Sequence, residues 1–276
     1  MINKIKIKMK KIILIAEIGW NHFGDIELAK KMINSAKDSG ADYAKFQTWS
    51  VERLKQGVWD KDGRREIYEK AELSEDNHIE LINHCKTSKI NFLSSVFSIP
   101  DAKLLVKLGV KDVKIPSFES RNHDLISFCN NNFNKIFMST GTSKMSEIND
   151  SLKLFTESDL YLMHCVSMYP CNYGNANLPK MKELMKIHEN VGYSDHIQGS
   201  ESAKIAIAEG AKVIEKHFTL DNNLPGRDNK FANLPSQFKD ISDFLVNYNE
   251  MMVDHGMDYQ DGEEDSRLNY KGRFDG

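Results

Sequence analysis

Eight short β-rich runs, each followed by a stretch with helical hydrophobic periodicity, set the narrowest limit on what this sequence can fold into. The runs end near Ile18, Gln47, Phe97, Pro116, Thr140, Cys165, His196 and Phe218. The spacing predicts helices over 26–39, 74–88, 100–108, 123–130 and 146–155, a short one from Pro179, then 200–209 and 236–254. Asp25, Ser74, Ser146, Ser200 and Ser236 read as N-caps, and Gly40, Gly109 and Gly210 as the glycines that close helices. A strand–helix unit repeated at roughly 20–30-residue spacing is the pattern of a closed (β/α)8 barrel. The expectation is a single α/β domain, a TIM barrel over 1–261, followed by a polar tail over 262–276 without periodicity. A doubly wound open sheet is the rival. Its dinucleotide-binding form would carry G-x-G-x-x-G after the first strand, and none stands there.

At 276 residues the chain can bury a full core without disulfides or a structural metal. A net charge of -3 leaves no basic patch, which argues against a nucleic-acid partner. No run approaches the roughly 20 apolar residues of a membrane span. Lys4, Lys6, Lys8, Lys10 and Lys11 crowd the start, but they alternate with Ile and Met and lack the apolar centre of a signal peptide. They read as a short exposed strand leading into the first barrel strand. Cys85, Cys129, Cys165 and Cys171 show no C-x-x-C spacing. Cys85 and Cys129 read as buried free thiols within helices, and a reducing cytoplasm is the expected setting. The longest irregular stretch, 49–73, is charged and follows the second strand. Loops of that length are usually functional or mobile, so a lid over a substrate and a solvated excursion both stand as readings.

A barrel builds its active site where its strands finish. Those ends present Glu17, Lys45, Gln47, Lys114, Ser117, Glu119, Ser139, Thr140, His164, Ser167, Ser194, Asp195, His196, Glu215 and His217. His196 and His217 stand one strand–helix repeat apart, each near a carboxylate. If their strands are neighbours, both imidazoles reach the same mouth and can share one metal ion. A single histidine on an apolar run is more often a core residue; a pair in phase with the repeat favours ligation. Lys45 and Lys114 sit among apolar neighbours, where an unpaired ammonium is expensive to bury. A bound anion would offset that cost, and hydroxyls of Ser117, Ser139 and Ser194 would suit a phosphate or a phosphorylated carboxylate. Pairing with Glu17 or Glu215 is the alternative.

Several motifs, taken in order, go further. Ala16-Glu17-Ile18-Gly19, Asn21-His22, Gly24-Asp25, Lys45-Phe46-Gln47-Thr48, Lys114-Ile115-Pro116-Ser117 and Ser139-Thr140-Gly141 are followed by His164-Cys165, Tyr169-Pro170 and Tyr193-Ser194-Asp195-His196. Glu215-Lys216-His217-Phe218-Thr219-Leu220 and Pro225-Gly226-Arg227-Asp228 complete the series. From about Ile12 to Asp228 the chain thus resembles the sialic acid (N-acetylneuraminate) synthase family, with its legionaminate and pseudaminate relatives. The resemblance implies a cytoplasmic transferase that condenses phosphoenolpyruvate with an aldose, an N-acetylated aminosugar such as N-acetylmannosamine. Water is taken up, and phosphate and a nine-carbon 2-keto-3-deoxy acid used in surface polysaccharides are released. It implies a divalent metal on His196 and His217, manganese first, with magnesium or cobalt as substitutes. It places phosphoenolpyruvate on Lys45, Lys114, Ser117, Ser139 and Ser194. Gln47, Glu119, Ser167, Tyr169, Glu215 and Asp228 would line the sugar side or the reacting centre. Glu17 would stand near metal and water and help take the proton from that water, while Asp228 would bind a sugar hydroxyl.

Departures from the family pattern fall at the mouth. Pro116 and Phe118 stand where glycines are usual, Ser167 where a polar amide is common, and Arg227 where a proline is frequent. The family's C-terminal antifreeze-like domain, which contributes an arginine to the sugar site of a partner subunit, would begin where this sequence stops. The expectation is a homodimer with an atypical acceptor, or a separate polypeptide supplying the capping domain. Two further readings remain: a barrel aldolase forming a Schiff base on Lys45 or Lys114 with free pyruvate, and a non-catalytic barrel that binds sugar phosphates.

Overall fold

The computed structural model describes residues 12–274, so the lysine-rich start expected to form a strand lies outside the described residues. Eight strands, β1 (Ile13–Gly19), β2 (Tyr43–Thr48), β3 (Asn91–Val96), β4 (Asp112–Ile115), β5 (Lys135–Ser139), β6 (Asp159–Cys165), β7 (Val191–Asp195) and β8 (Val213–His217), pair in parallel in chain order and close into a barrel. The open-sheet rival is thereby excluded. Beyond their first residues the strands are largely buried on both faces, which is why they read as near-continuous apolar runs. Ladder register between β1 and β8 matches Ile13 with Val213 and Glu17 with His217, so the last strand returns beside the first.

The ten helices are α1 (Ile26–Asp38), α2 (Arg64–Ala71), α3 (Glu75–Thr87), α4 (Ile99–Lys107), α5 (His123–Asn132), α6 (Met145–Leu152), α7 (Pro179–Met185), α8 (Glu201–Ala208), α9 (Pro235–Met251) and α10 (Glu264–Asn269) among the described residues. Alternate strand residues serve two cores. Leu14, Ala16, Ile18, Ala44, Phe46, Val113, Ile115 and Ile214 point outward and meet helix residues such as Met32, Ile33, Leu81 and Leu105. Ile13, Ile15, Tyr43, Leu93, Phe137, Met163 and Val213 fill the lower barrel interior. Full burial of each such Leu, Ile or Phe stabilises the fold by about 1.5–3 kcal/mol relative to exposure. The close approach of β7 and β8 depends on Gly192, where a Cβ would stand 2.2 Å from Val213 Cγ1 and 2.3 Å from its carbonyl oxygen.

Some boundaries differ from the sequence reading, for local reasons. Asp25 and Ser74 cap α1 and α3 through their side chains, accepting from Leu28 N and Asn77 N. Ser146 and Ser236 lie inside their helices instead. α6 starts after Lys144, whose N–H donates to Glu147, and α9 starts with Pro235 after Leu234, whose N–H donates to Gln237. Ser200 occupies the cap position of α8, but its hydroxyl goes to Asp240. Gly40, Gly109 and Gly210 have left-handed φ values of +92°, +76° and +99°, as expected of helix-closing glycines. The 49–73 stretch, expected to be irregular, contains α2 and two single helical turns. The tail carries α10, a short helix exposed on every side and therefore without the apolar stripe that periodicity detects. Among the described residues no helix is long and apolar enough to cross a membrane.

Candidate active site

Above the apolar plug, the inward positions of the strands change character. Continuing the same phase upward gives Glu17 on β1, Lys45 and Gln47 on β2, Ser95 on β3, Lys114 on β4, Ser139 on β5, Cys165 on β6, Ser194 on β7, and Glu215 and His217 on β8. All of them line a cavity of about 740 Å³ at the C-terminal mouth of the barrel. Ser117, Glu119, Tyr169, His196 and Asp228 join them from the loops. Thus thirteen of the fourteen residues to which the resemblance gives a role share one space. Ser167 is not among the lining residues; its hydroxyl lies 3.9 Å from Cys165 Sγ. Among the other strand-end candidates, Thr140, His164 and Asp195 have the opposite phase and face the helix layer. His164 stacks on Tyr193 and bonds the Ala176 carbonyl, for example.

Four charged groups, none more than 5% exposed, form the base of the cavity. Lys45 Nζ lies 2.7 Å from Glu17 Oε2 and 3.8 Å from Glu215 Oε2. Lys114 Nζ donates to Glu215 Oε1 at 2.9 Å, and Ser194 Oγ donates to the same oxygen at 2.9 Å. Ser95 Oγ accepts from Lys45 at 2.9 Å. The pairing alternative raised by the sequence is therefore realised: each lysine has a glutamate. The two glutamates differ. Burial, reinforced by the negative charge of Glu215, pushes Glu17 above the usual carboxylate range despite Lys45. Burial is outweighed at Glu215 by the two ammonium groups, which hold it below that range. Burial pulls the Lys114 ammonium down, against the attraction of Glu215.

Glu17 is aimed by the local chain. The β1 ladder shifts register between Glu17 and Gly19, and Gln47 Nε2 donates to Glu17 Oε1 at 2.7 Å. Gly19 has φ +55°, and a Cβ there would come within 3.0 Å of that same oxygen. A side chain at this position would both strain the backbone and crowd the carboxylate.

At the top of β8, beside Glu17 in the ladder, His217 faces His196 at the end of β7; the two rings lie 5.3 Å apart, centroid to centroid, inclined by 60°. Tyr169 covers His196 at 4.2 Å, and Phe231 packs on His217 at 5.1 Å. His196 Nδ1 donates to the Val166 carbonyl at 2.8 Å, which leaves Nε2 free as a donor of electrons to a cation. His217 Nδ1 is buried with no hydrogen-bond partner, although Asp228 Oδ2 stands 3.5 Å away. Burial, with His196 and Lys45 nearby, drives the His217 imidazolium far down, so its ring is neutral. Burial likewise lifts the Asp228 carboxyl to about 6. His196 is the exception: burial disfavours its charge, yet Cys165, 3.9 Å away, raises it. The thiol in turn is drawn to about 7 by that imidazole, against its burial. No group of three or more metal-ligating side chains gathers among the described residues. Two imidazoles with unengaged ring nitrogens fit a cation whose other positions are taken by substrate and water.

Sequence reasoning missed the other wall. Trp20, Trp49, Tyr68, Phe97 and Phe118 follow one another along the exits of β1 to β4, with neighbouring centroids 5.2–6.3 Å apart. All line the cavity, as do Arg53, Arg64 and Arg227. The 49–73 segment therefore lines one side of it. Each arginine already faces an acid: Arg53 pairs with Asp101, Arg64 with Asp62 at 2.7 Å, and Arg227 lies 4.0 Å from Asp62. Aromatic residues at strand exits look like core in a sequence, and only Phe118 and Arg227 had stood out.

Comparison with known proteins agrees with the fold. Residues 32–256 match the NeuB family. An N,N'-diacetyllegionaminic acid synthase from Campylobacter jejuni is 39% identical over 249 residues, 84% of this chain and 74% of that one. A pseudaminic acid synthase from the same species is 32% identical over 264 residues, 90% of this chain and 77% of that one. Among solved structures, the N-acetylneuraminic acid (sialic acid) synthetase from Leptospira borgpetersenii, in complex with citrate, superposes with a TM-score of 0.84 at 29% identity. That match covers 95% of this chain and 92% of the other.

Proposed function

The chain belongs to the NeuB family, and from that footing we propose that it condenses phosphoenolpyruvate with the open-chain form of an N-acetylated aminosugar. Carbon three of phosphoenolpyruvate forms the new bond to the sugar aldehyde, whose oxygen takes up a proton. Water adds at carbon two and gives up one proton; the hydroxyl so formed passes its second proton to the departing phosphate as the bond from carbon two to the phosphate oxygen breaks and the ketone forms. One 2-keto-3-deoxy sugar acid and one phosphate leave. The observation that carries this reading is two buried ammonium groups, Lys45 and Lys114, in the same cavity as two imidazoles with free ring nitrogens.

The chain's own groups supply most of what the reaction needs. Lys45 and Lys114 would hold the phosphate and carboxylate, with the Ser117, Ser139 and Ser194 hydroxyls around them; Ser139 Oγ is buried without a partner. Held by His196 and His217, a divalent cation, manganese first and magnesium or cobalt next, would supply Lewis-acid polarisation of the aldehyde oxygen. Glu17, above the usual carboxylate range yet bonded by Gln47 and Lys45, is suited to accept the proton of the attacking water. Gln47, Glu119, Tyr169 and Asp228 would face the sugar, and Glu215 would bridge the two ammonium groups and offset their repulsion. The paired state of Arg53, Arg64 and Arg227 and the aromatic wall favour an acceptor without a phosphate group.

The deciding experiment is phosphate release with phosphoenolpyruvate, Mn2+ and a panel of free hexosamines, diacetamido-deoxysugars and pentoses, with product mass as a second readout. Release should require phosphoenolpyruvate, one sugar and the metal together. Release without sugar, or none with any sugar, would refute the assignment. One feature favours a second reading: burial draws Lys114 toward the neutral amine, which a Schiff-base aldolase needs. Borohydride treatment with pyruvate separates the two, since only the aldolase yields a covalent adduct on lysine.

A further inference from the structure

Directly behind the two histidines lies a buried ion pair that the chemistry above does not use. Asp195 and Lys216 are ladder partners on β7 and β8, and each immediately precedes one of the histidines. Because side chains alternate along a strand, this pair faces the helix layer while His196 and His217 face the mouth. Both members are 1% exposed. Lys216 Nζ lies 2.9 Å from Asp195 Oδ2 and also donates to the Ile197 carbonyl. Asp195 Oδ1 accepts from the Ile197 N–H at 2.9 Å, and Ser202 Oγ on α8 donates to Oδ2 at 2.5 Å.

The geometry is that of a bracket. His196 lies just past the last residue of β7, where pairing with β8 has ended and the backbone is held on the other side by the Cys171 N–H, which donates to the His196 carbonyl at 3.0 Å. The residues on either side of it, Asp195 and Ile197, are both tied to the side chain that precedes His217. Stability alone is a poor reason to keep such a pair, since a buried ion pair replaced by apolar groups of similar volume is often neutral or stabilising. Holding one particular geometry is the better-attested use.

We propose that Lys216 and Asp195 act as a positioning clamp that sets the separation and tilt of the two imidazoles, and through them the affinity of the mouth for a divalent cation. The proposal rests on the reading that His196 and His217 share that cation. It assigns these two residues no contact with substrate and no proton transfer.

Mn2+ binding without substrate, followed by isothermal titration, gives the test, alongside thermal unfolding of the same proteins. Lys216→Met leaves Asp195 buried without its partner, and should lose both stability and Mn2+ affinity. In the double variant Lys216→Met/Asp195→Asn no buried charge is stranded, so the unfolding temperature should recover. Its Mn2+ affinity should remain at least about 10-fold below that of the parent, the scale on which groups supporting metal ligands act. At saturating Mn2+ its KM for phosphoenolpyruvate should be unchanged, because Lys45 and Lys114 are untouched. If the double variant regains stability and metal affinity together, the pair is structural only and the clamp is refuted. If the parent and His217→Ala are alike in failing to bind Mn2+, the shared-cation reading fails first, and the clamp falls with it.

Discussion

At the scale of single residues, the base of the cavity is a balanced set of four charges, and removing any one of them acts in two ways. Lys114→Ala strips Glu215 of its 2.9 Å partner and leaves it Ser194 and, at 3.8 Å, Lys45. Breaking a buried pair in this way costs about 3–5 kcal/mol, so urea unfolding of the variant should show a clear loss. Among molecules that remain folded, the KM for phosphoenolpyruvate should rise by about 10- to 100-fold, as expected for a lost charged hydrogen bond, while the KM for sugar changes little. Equal rises would contradict the assignment of Lys114 to the anion. His217→Ala should behave differently. The ring sits above the apolar plug and takes no part in it, so the unfolding temperature should move by only a few degrees, roughly what a loss near 1 kcal/mol produces. Turnover should drop by more than about 100-fold, beyond what loss of a supporting group causes.

Among the elements, the β7–β8 seam depends on a missing side chain, because Gly192 leaves room for Val213 in the barrel interior. Gly192→Ala forces its new methyl into both the Val213 side chain and its carbonyl, and overpacking of this kind costs about 1–3 kcal/mol. Adding Val213→Ala should restore only part of the urea midpoint, since the carbonyl contact stays. Full recovery would show that the side chain alone is limiting. The barrel itself was legible in the sequence, since strands buried on both faces and separated by amphipathic helices leave few other solutions. The phase of each strand end was not. Lys45, Lys114, Ser194, Glu215 and His217 point inward, whereas Thr140, His164 and Asp195, adjacent in the chain to inward residues, point the other way. Nothing in a list of strand-end residues separates the two sets. Counting upward from the apolar plug does so, and it brings in Ser95 and Cys165, which a search for charged groups passes over. α2 escaped notice for a different reason: only Ile67 and Ala71 are buried on it, too few to print a period.

For the whole molecule, the side of the pH scale on which it fails can be worked out. His22, His78 and His164 are buried, and burial lowers all three, His22 to about 4 from an ordinary 6.5. His22 Nδ1 accepts from the Gly24 N–H at 3.1 Å, which requires the neutral ring. A folded value below the unfolded one means that the stabilising contribution is complete above pH 6.5 and is lost as the pH falls toward 4. For His22 the loss is on the order of 3 kcal/mol at 1.4 kcal/mol per pH unit. The urea midpoint should therefore decline through this window, and His22→Gln should flatten the decline. A midpoint equally steep in that variant would place the sensitivity elsewhere. The apolar plug has a consequence for traffic. Among the described residues, Ile13, Ile15, Tyr43, Leu93, Phe137, Met163 and Val213 fill the lower end, so the cavity is a shaft floored by apolar side chains and opening at the strand ends. Under the proposed condensation, a ligand on Lys45 and Lys114 at the base would lie beneath one arriving at Tyr169, so the enol phosphate would enter first and the sugar second.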